Sequence, residues 1–229
     1  MRFNLNWYHG VMGFYLVVLL LVSYVPAQES SPNTEIAPGV KSGQVELSVS
    51  RVYVRVGKVG LGHEHAASCK LASSTLRLTP DASGSFGTLV FDMKSFEADS
   101  DASRKYVGLP GSTDDDTKKK VNQNLLGKEV LDVEKYPTAT FVAKNVTKLE
   151  EVSKRGLPKY KFAGDFTLHG TTKPIEFAAD VEVVKGWNHI RGGFAILQTE
   201  YGMKPYTTML GAVGVADRLA IYGDLIVAP

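Results

Sequence analysis

Residues 161–184 read KFAGDFTLHGTTKPIEFAADVEVV and alternate apolar with polar side chains on both sides of a short Gly-Thr-Thr link. Before the link, one face carries Phe162, Gly164, Phe166 and Leu168. The matching apolar positions after it are Ile175, Phe177, Ala179, Val181 and Val183. A period of two puts alternate residues on one face of a β-strand. The stretch therefore predicts two consecutive strands that bury the same face.

The same alternation dominates the chain from residue 44 onward. Residues 44–49 alternate in one phase and residues 52–56 in the other, so the slip near Ser50-Arg51 predicts a β-bulge. Residues 99–117 break the pattern and predict a loop. About eight such segments with short connections, without regular strand–helix alternation, predict an all-β fold. We expect an extended antiparallel β-barrel of about eight strands.

One short helix is predicted at about residues 116–126, directly after the acidic loop. Asp116 or Thr117 is a suitable N-cap, and acidic residues favour the start of a helix. Val121 and Leu125 lie four residues apart and share one helix face. We expect that face to dock on the barrel rim.

The predicted barrel has an interior that mixes aromatic rings with Gly and Ala, which leaves room that large aliphatic side chains would fill. A barrel of about eight strands either fills with side chains or holds one small ligand. Strand parity assigns the pore lining to Phe91, Phe141, Phe162, Phe166, Leu168, Phe177, Phe194 and Ile196. A filled core remains the alternative, and an error of one residue in register would reverse the assignment.

The N-terminal segment is predicted to lie outside the barrel. Arg2 precedes an apolar run over residues 11–22, and Val25-Pro26-Ala27 has the small residues of a cleavage site. This order predicts a signal peptide at residues 1–27 and a periplasmic or secreted protein. An uncleaved membrane anchor is the alternative. Residues 28–42 are rich in Ser, Pro and Gly and predict a flexible spacer, which leaves a barrel domain at 43–229.

The amino-acid composition excludes several classes of function. The chain has 229 residues with a net charge of +2, so no strong basic field indicates nucleic-acid binding. Its one cysteine, Cys69, excludes an internal disulfide and a zinc site built on several thiolates. The alternation around Cys69 predicts a buried residue that behaves as a small hydrophobe. No Ser/His/Asp arrangement or nucleophile elbow occurs, and we expect no cofactor and no enzyme activity.

Several motifs resemble one known family. Residues 131–141, LDVEKYPTATF, are similar to a signature of the YceI-like proteins, and residues 164–174, GDFTLHGTTKP, resemble a second one. Residues 199–203, TEYGM, resemble a segment near the family's C-terminus, and residues 62–65, GHEH, resemble an entry motif found in part of the family. The resemblance covers residues of about 44–228.

The resemblance implies a lipocalin-like barrel, often periplasmic, that binds a polyisoprenoid along its axis. Such ligands include an isoprenoid quinone or a prenyl phosphate. The chain departs from the family pattern in two places: Gln198 replaces the usual Arg, and the loop 99–117 carries extra Asp residues.

His63 and His65 form the short motif that most clearly indicates a binding site. Two residues apart on a strand, they would project to one face. Three interpretations stay open: a metal site with a third ligand from elsewhere, contacts to a ligand head group at the barrel mouth, or ordinary surface histidines.

The sequence thus predicts an exported lipid-binding protein that stores or transports a polyisoprenoid. A metal-assisted hydrolase using His63 and His65, or a ligand-free structural or stress-related envelope protein, are the alternatives. Nucleic acid is not expected as a partner. A homodimer and a transient contact with a membrane are left open.

Overall fold

The structure, a computed structural model, describes residues 39–208, 210 and 212–229. The predicted signal peptide at 1–27 and most of the predicted spacer at 28–42 lie outside the described residues. Within the described ranges, no helix has both the length and the apolar character needed to cross a bilayer.

Strands dominate this part of the chain. They are β1 (Arg51–Gly60), β2 (His65–Lys70), β3 (Thr88–Asp92), β4 (Glu97–Ala98), β5 (Thr138–Val152), β6 (Pro158–Leu168), β7 (Thr171–Val184), β8 (Trp187–Leu197), β9 (Thr207–Thr208) and β10 (Val213–Val227). The α-helices are α1 (Asp101–Tyr106) and α2 (Asp115–Leu126), and short 3-10 turns cover Met93–Ser95 and Gln198–Tyr201.

Eight strands follow one another in a single antiparallel sheet in the order β3-β5-β6-β7-β8-β10-β1-β2, with β4 added to β2 and β9 to β10. The two ends of this series meet at a bridge between Leu71 and Phe91. Two further hydrogen bonds support the join, Ala72 N to Val90 O at 2.8 Å and Thr75 N to Thr88 O at 2.9 Å. The prediction of an all-β antiparallel barrel of about eight strands is confirmed.

Two tight turns set the register of the clearest strands. His169 and Gly170 join β6 to β7 with φ of 50° and 76°, and Lys185 and Gly186 join β7 to β8 with φ of 50° and 80°. Two residues with positive φ match the right-handed twist of paired strands, and Gly adopts that conformation without a steric penalty. The register therefore places Phe162 opposite Phe177 on the inner face.

The predicted bulge near Ser50-Arg51 is wrong. Residues 46–50 form a turn in which Ser50 N donates to Glu46 O at 3.0 Å, and β1 begins only at Arg51. Leu47 and Val49 are exposed, so their alternation reflects no buried face. The actual register shift of β1 lies between Val56 and Lys58, opposite β10.

The helical region also differs from the prediction. The expected helix is α2, but its N-cap is Asp114, whose side chain accepts from Thr117 N, rather than Asp116 or Thr117. The predicted loop 99–117 contains a second helix, α1, with Ser100 as its N-cap. The short polar sequence of α1 has no apolar period, so the sequence pattern does not predict a helix there. The helix is held instead by Tyr106, whose ring stacks on that of Tyr53 outside the barrel, with the ring centroids 3.9 Å apart.

Candidate functional site

Among the described residues, two cavities stand out in the barrel interior. The main cavity, about 170 Å³, lies at the end covered by α2, and the small cavity, about 40 Å³, lies deeper between the strands. Typical small-molecule sites have volumes of roughly 300–1,000 Å³. The interior is therefore only partly open, and most of it is filled by side chains.

The main cavity has an apolar wall. Val54, Val56 and Leu219 supply its β1 and β10 sides, and α2 contributes Val121 and Leu125 from above. The four-residue spacing had indicated that this helix face docks on the rim. A side-chain-to-backbone bond supports the docking, since Asn122 Oδ1 accepts from Ala98 N at 2.8 Å.

The eight residues predicted to line the pore do not share one cavity. Leu168 and Phe166 line the main cavity, and Phe91 lines both cavities. The small cavity is bordered by Phe141, Phe162, Phe177 and Phe194. Ile196 is buried in the core but, among the described residues, lines neither cavity.

The aromatic members of that set pack against one another. Phe162 stacks on Phe177 with ring centroids 5.4 Å apart, and Phe166 meets Phe194 edge to face at 5.3 Å. Offset and edge-to-face pairs are the favoured arrangements of aromatic rings. These rings fill the deeper half of the barrel, which explains why the open volume lies above them.

His65 provides a polar group at the main cavity. Its Nδ1 lies 2.6 Å from Asp99 Oδ2, and Asp99 Oδ1 accepts from Ala66 N at 2.9 Å and from Arg104 at 3.0 Å. Asp99 has no exposed surface, whereas His65 is partly exposed and lines the cavity. Because Nδ1 is engaged by the carboxylate, Nε2 is the ring nitrogen that can meet a ligand.

The carboxyl of Asp99 is ionised at neutral pH. Burial raises its pKa, but the hydrogen bonds from His65, Ala66 N and Arg104, together with the charge on His65, outweigh burial and lower the pKa below its ordinary value. A carboxylate in this position holds the imidazole in one orientation. Sequence reasoning missed Asp99, since nothing in the loop pattern indicates that it folds back onto β2.

His63 and His65 do not share a strand face, so that expectation is wrong. β2 begins at His65, and His63 lies exposed in the preceding turn. Within the described residues, no group of three or more His, Cys, Asp and Glu side chains converges as a metal site would require. Gly62 packs closely against β10, where a Cβ on it would lie 2.8 Å from Gly214 O.

Gln198 occupies the position where the family resemblance leads us to expect Arg. It is buried at the main cavity, and its Nε2 donates to Ala216 O at 2.8 Å. Asn124 and Tyr206 are the other polar residues of the wall besides His65. Besides His65, the cavity thus offers neutral hydrogen-bonding groups rather than a Lys or Arg side chain.

Cys69 lies in the wall of the main cavity and is buried. Burial, helped by the negative charge of Asp92, raises the pKa of its thiol to about 12. The thiol is therefore protonated at neutral pH and is not a nucleophile. The prediction that Cys69 acts as a small buried hydrophobe is confirmed.

Comparison with known proteins agrees with this geometry. The YceI-like domain matches residues 44–226. The chain belongs to the YceI-like family. A UPF0312 protein from Pectobacterium atrosepticum is 33% identical over 111 residues, covering 47% of this chain and 52% of that protein. The chain spans about half or less of the length of the curated relatives it matches.

A solved structure shows the same fold. BcnA from Burkholderia cenocepacia is 20% identical in sequence to this YceI-like protein and superposes with a TM-score of 0.52. The match covers 80% of this chain and 98% of BcnA. A polyisoprenoid binding domain from Saccharophagus degradans is 13% identical in sequence and has a TM-score of 0.49. That match covers 82% of this chain and 100% of the domain. The likeness to BcnA supports the barrel described above.

Proposed function

We propose that this YceI-like protein binds a lipid, holding part of an isoprenoid tail in the main cavity, and is not an enzyme. One observation carries the proposal: in the part of the chain that the structure describes, the wall of the main cavity contains no Lys, Arg, Asp or Glu. Each methylene group that leaves water for such a wall contributes about 0.8 kcal/mol before losses to ordering. The class of lipid is the one that the family resemblance implies.

The polar groups of the wall favour an uncharged head group. His65 and the neutral side chains of Asn124, Gln198 and Tyr206 can hydrogen-bond a quinone carbonyl. A phosphate would lose hydration without gaining a Lys or Arg partner from this wall, which is costly. Of the two expected ligands, an isoprenoid quinone is therefore favoured over a prenyl phosphate. A contact from His63 remains a prediction, since that side chain lies outside the cavity.

The alternatives have less support. A metal-assisted hydrolase needs His63 and His65 on one face together with a third ligand, but only His65 lies on β2, and His63 is exposed in the segment before it. A filled barrel without a ligand agrees with the packed aromatic rings of the deeper half, but leaves the apolar main cavity without a role.

A charge placed in the main cavity tests the proposal. Leu219 faces the cavity from β10, whereas Leu197 is exposed at the end of β8. We expect the wild-type protein to bind a benzoquinone with a short isoprenoid tail, Leu219→Lys to weaken binding at least about tenfold, and Leu197→Lys to bind normally. Circular dichroism should be used to check that both variants fold. Failure of the wild type to bind any isoprenoid quinone, alcohol or phosphate would overturn the proposal.

Export is a further part of the proposal and is supported by the order of residues 1–27. Expression of the full chain, followed by cell fractionation and mass measurement, tests it. A mature chain that starts near residue 28 in the periplasm or medium supports export. A full-length cytosolic chain contradicts it.

A further inference from the structure

The walls of the two cavities share three residues. Val52, Phe91 and Ile221 border both of them, so these three residues form the partition. Phe91 is the only aromatic ring of the three. Its ring meets Phe166 edge to face at 6.0 Å, and Phe166 in turn meets Phe194.

Glycines form part of the wall of the small cavity. Gly192, Gly193 and Gly223 lie there, on β8 and β10. A Cβ on Gly192 or Gly193 would lie 2.5 Å from its nearest neighbour, whereas a Cβ on Gly223 would have only Leu225 Cγ at 3.8 Å. Gly223 is therefore the position from which the small cavity can be filled.

The size of the main cavity limits what it can hold. An engineered apolar cavity of about 150 Å³ accommodates one benzene molecule. At about 170 Å³, the main cavity is suited to roughly one or two isoprene units of about five carbons each. A longer tail that follows the barrel axis inward meets the Phe91 ring.

We propose that Phe91 is the tail-length stop of this protein. An isoprenoid tail enters the main cavity as far as the Phe91 ring, and additional units remain outside the barrel and contribute little to affinity. This inference rests on the proposed function, since it concerns the same cavity. It makes one residue, Phe91, responsible for the selectivity of the protein between short and long tails.

The proposal predicts how affinity depends on tail length. Each unit that enters should tighten binding at least about tenfold, because it buries several methylene groups. In the wild type we expect the gain to end after roughly two units. In Phe91→Ala the two cavities join, and the gain should extend by about one further unit.

Benzoquinones with isoprenoid tails of increasing length are the probes, titrated against wild type and variants. Phe86→Ala is the matched control, because Phe86 packs against the core but, among the described residues, lines neither cavity. It should leave the length limit unchanged. Phe91→Ala combined with Gly223→Val should return the limit to that of the wild type. If Phe91→Ala does not fold, Phe91→Leu takes its place with a smaller extension.

The outcomes separate this inference from the proposed function. If no isoprenoid of any length binds, the proposed function is wrong. If isoprenoids bind but affinity rises steadily with length in the wild type, or if Phe91→Ala and Phe86→Ala have the same length limit, only the tail-length stop is wrong.

Discussion

At the scale of single residues, Asp99 joins the barrel wall to α1. It is a non-glycine residue in the left-handed region, with φ of 55°, and its carboxylate receives hydrogen bonds from β2 and from Arg104 of α1. Asn tolerates this backbone conformation better than most residues, so Asp99→Asn removes the charge without adding backbone strain. We expect the free energy of unfolding to fall by about 3 kcal/mol at neutral pH.

The pH dependence of that loss has a definite sign. Because the pKa of Asp99 is lower in the folded than in the unfolded chain, its contribution is complete above the unfolded value of about 3.9 and disappears as pH falls through the folded value. Urea unfolding from pH 7 to pH 3 should therefore show the difference between wild type and Asp99→Asn shrinking in acid. Glu129→Gln, an exposed carboxylate, serves as control. A difference independent of pH would contradict the role of the charge.

Cys69 leads to a second prediction at this scale. Because burial raises the pKa of its thiol to about 12, a charged thiol reagent at pH 8 should label the folded protein very slowly and the urea-unfolded protein rapidly. Mass spectrometry follows the labelling. Rapid labelling of the folded protein would show that the wall of the main cavity opens to water.

The candidate site was only partly predictable at the residue scale. Alternation placed Phe166 and Leu168 on the inner face, and these line the main cavity. It could not distinguish an inward side chain that lines a cavity from one that fills the core, as Phe162 does. That difference depends on how rings from several strands pack, and Phe162 stacks on a residue fifteen positions away in the chain.

At the scale of elements, β5 and β6 depend on a glycine. Opposite Gly164 the register of β5 shifts between Ala143 and Asn145, and a Cβ on Gly164 would lie 2.1 Å from Val142 O. Gly164→Ala should therefore lower the free energy of unfolding by about 1–3 kcal/mol. Gly223→Ala, also in a strand but with room for a Cβ, should be close to neutral. Equal effects of the two substitutions on the free energy of unfolding in urea would disprove this account of the register shift in β5.

The elements themselves were predicted with unequal success. The β6–β7 hairpin was evident because its alternation is strict and its turn contains Gly170. The helix α1 was missed because tertiary contacts from Tyr106 and Arg104 hold it, and its own sequence has no apolar period. The turn at 46–50 was mistaken for a strand because Leu47 and Val49 are apolar yet exposed.

At the scale of the whole molecule, the barrel is filled by side chains at its deeper end and partly open at the end covered by α2. The aromatic rings give the deeper half its packing, and the end covered by α2 keeps a cavity with an apolar wall and neutral polar groups. Such a division suits a protein that binds part of a long apolar molecule and leaves the remainder accessible for transfer. The sequence indicated a pore along the barrel, but the position of the open volume follows from packing across all eight strands.

The central claim is that this cavity binds an isoprenoid lipid in the cell. The most direct measurement is native mass spectrometry of the mature protein purified from its own cell envelope, followed by organic extraction and identification of the extract. We predict a stoichiometric adduct with the mass of an isoprenoid, most strongly a quinone. Protein that is free of ligand and also fails to take up added isoprenoids would contradict the claim and favour a barrel without a ligand.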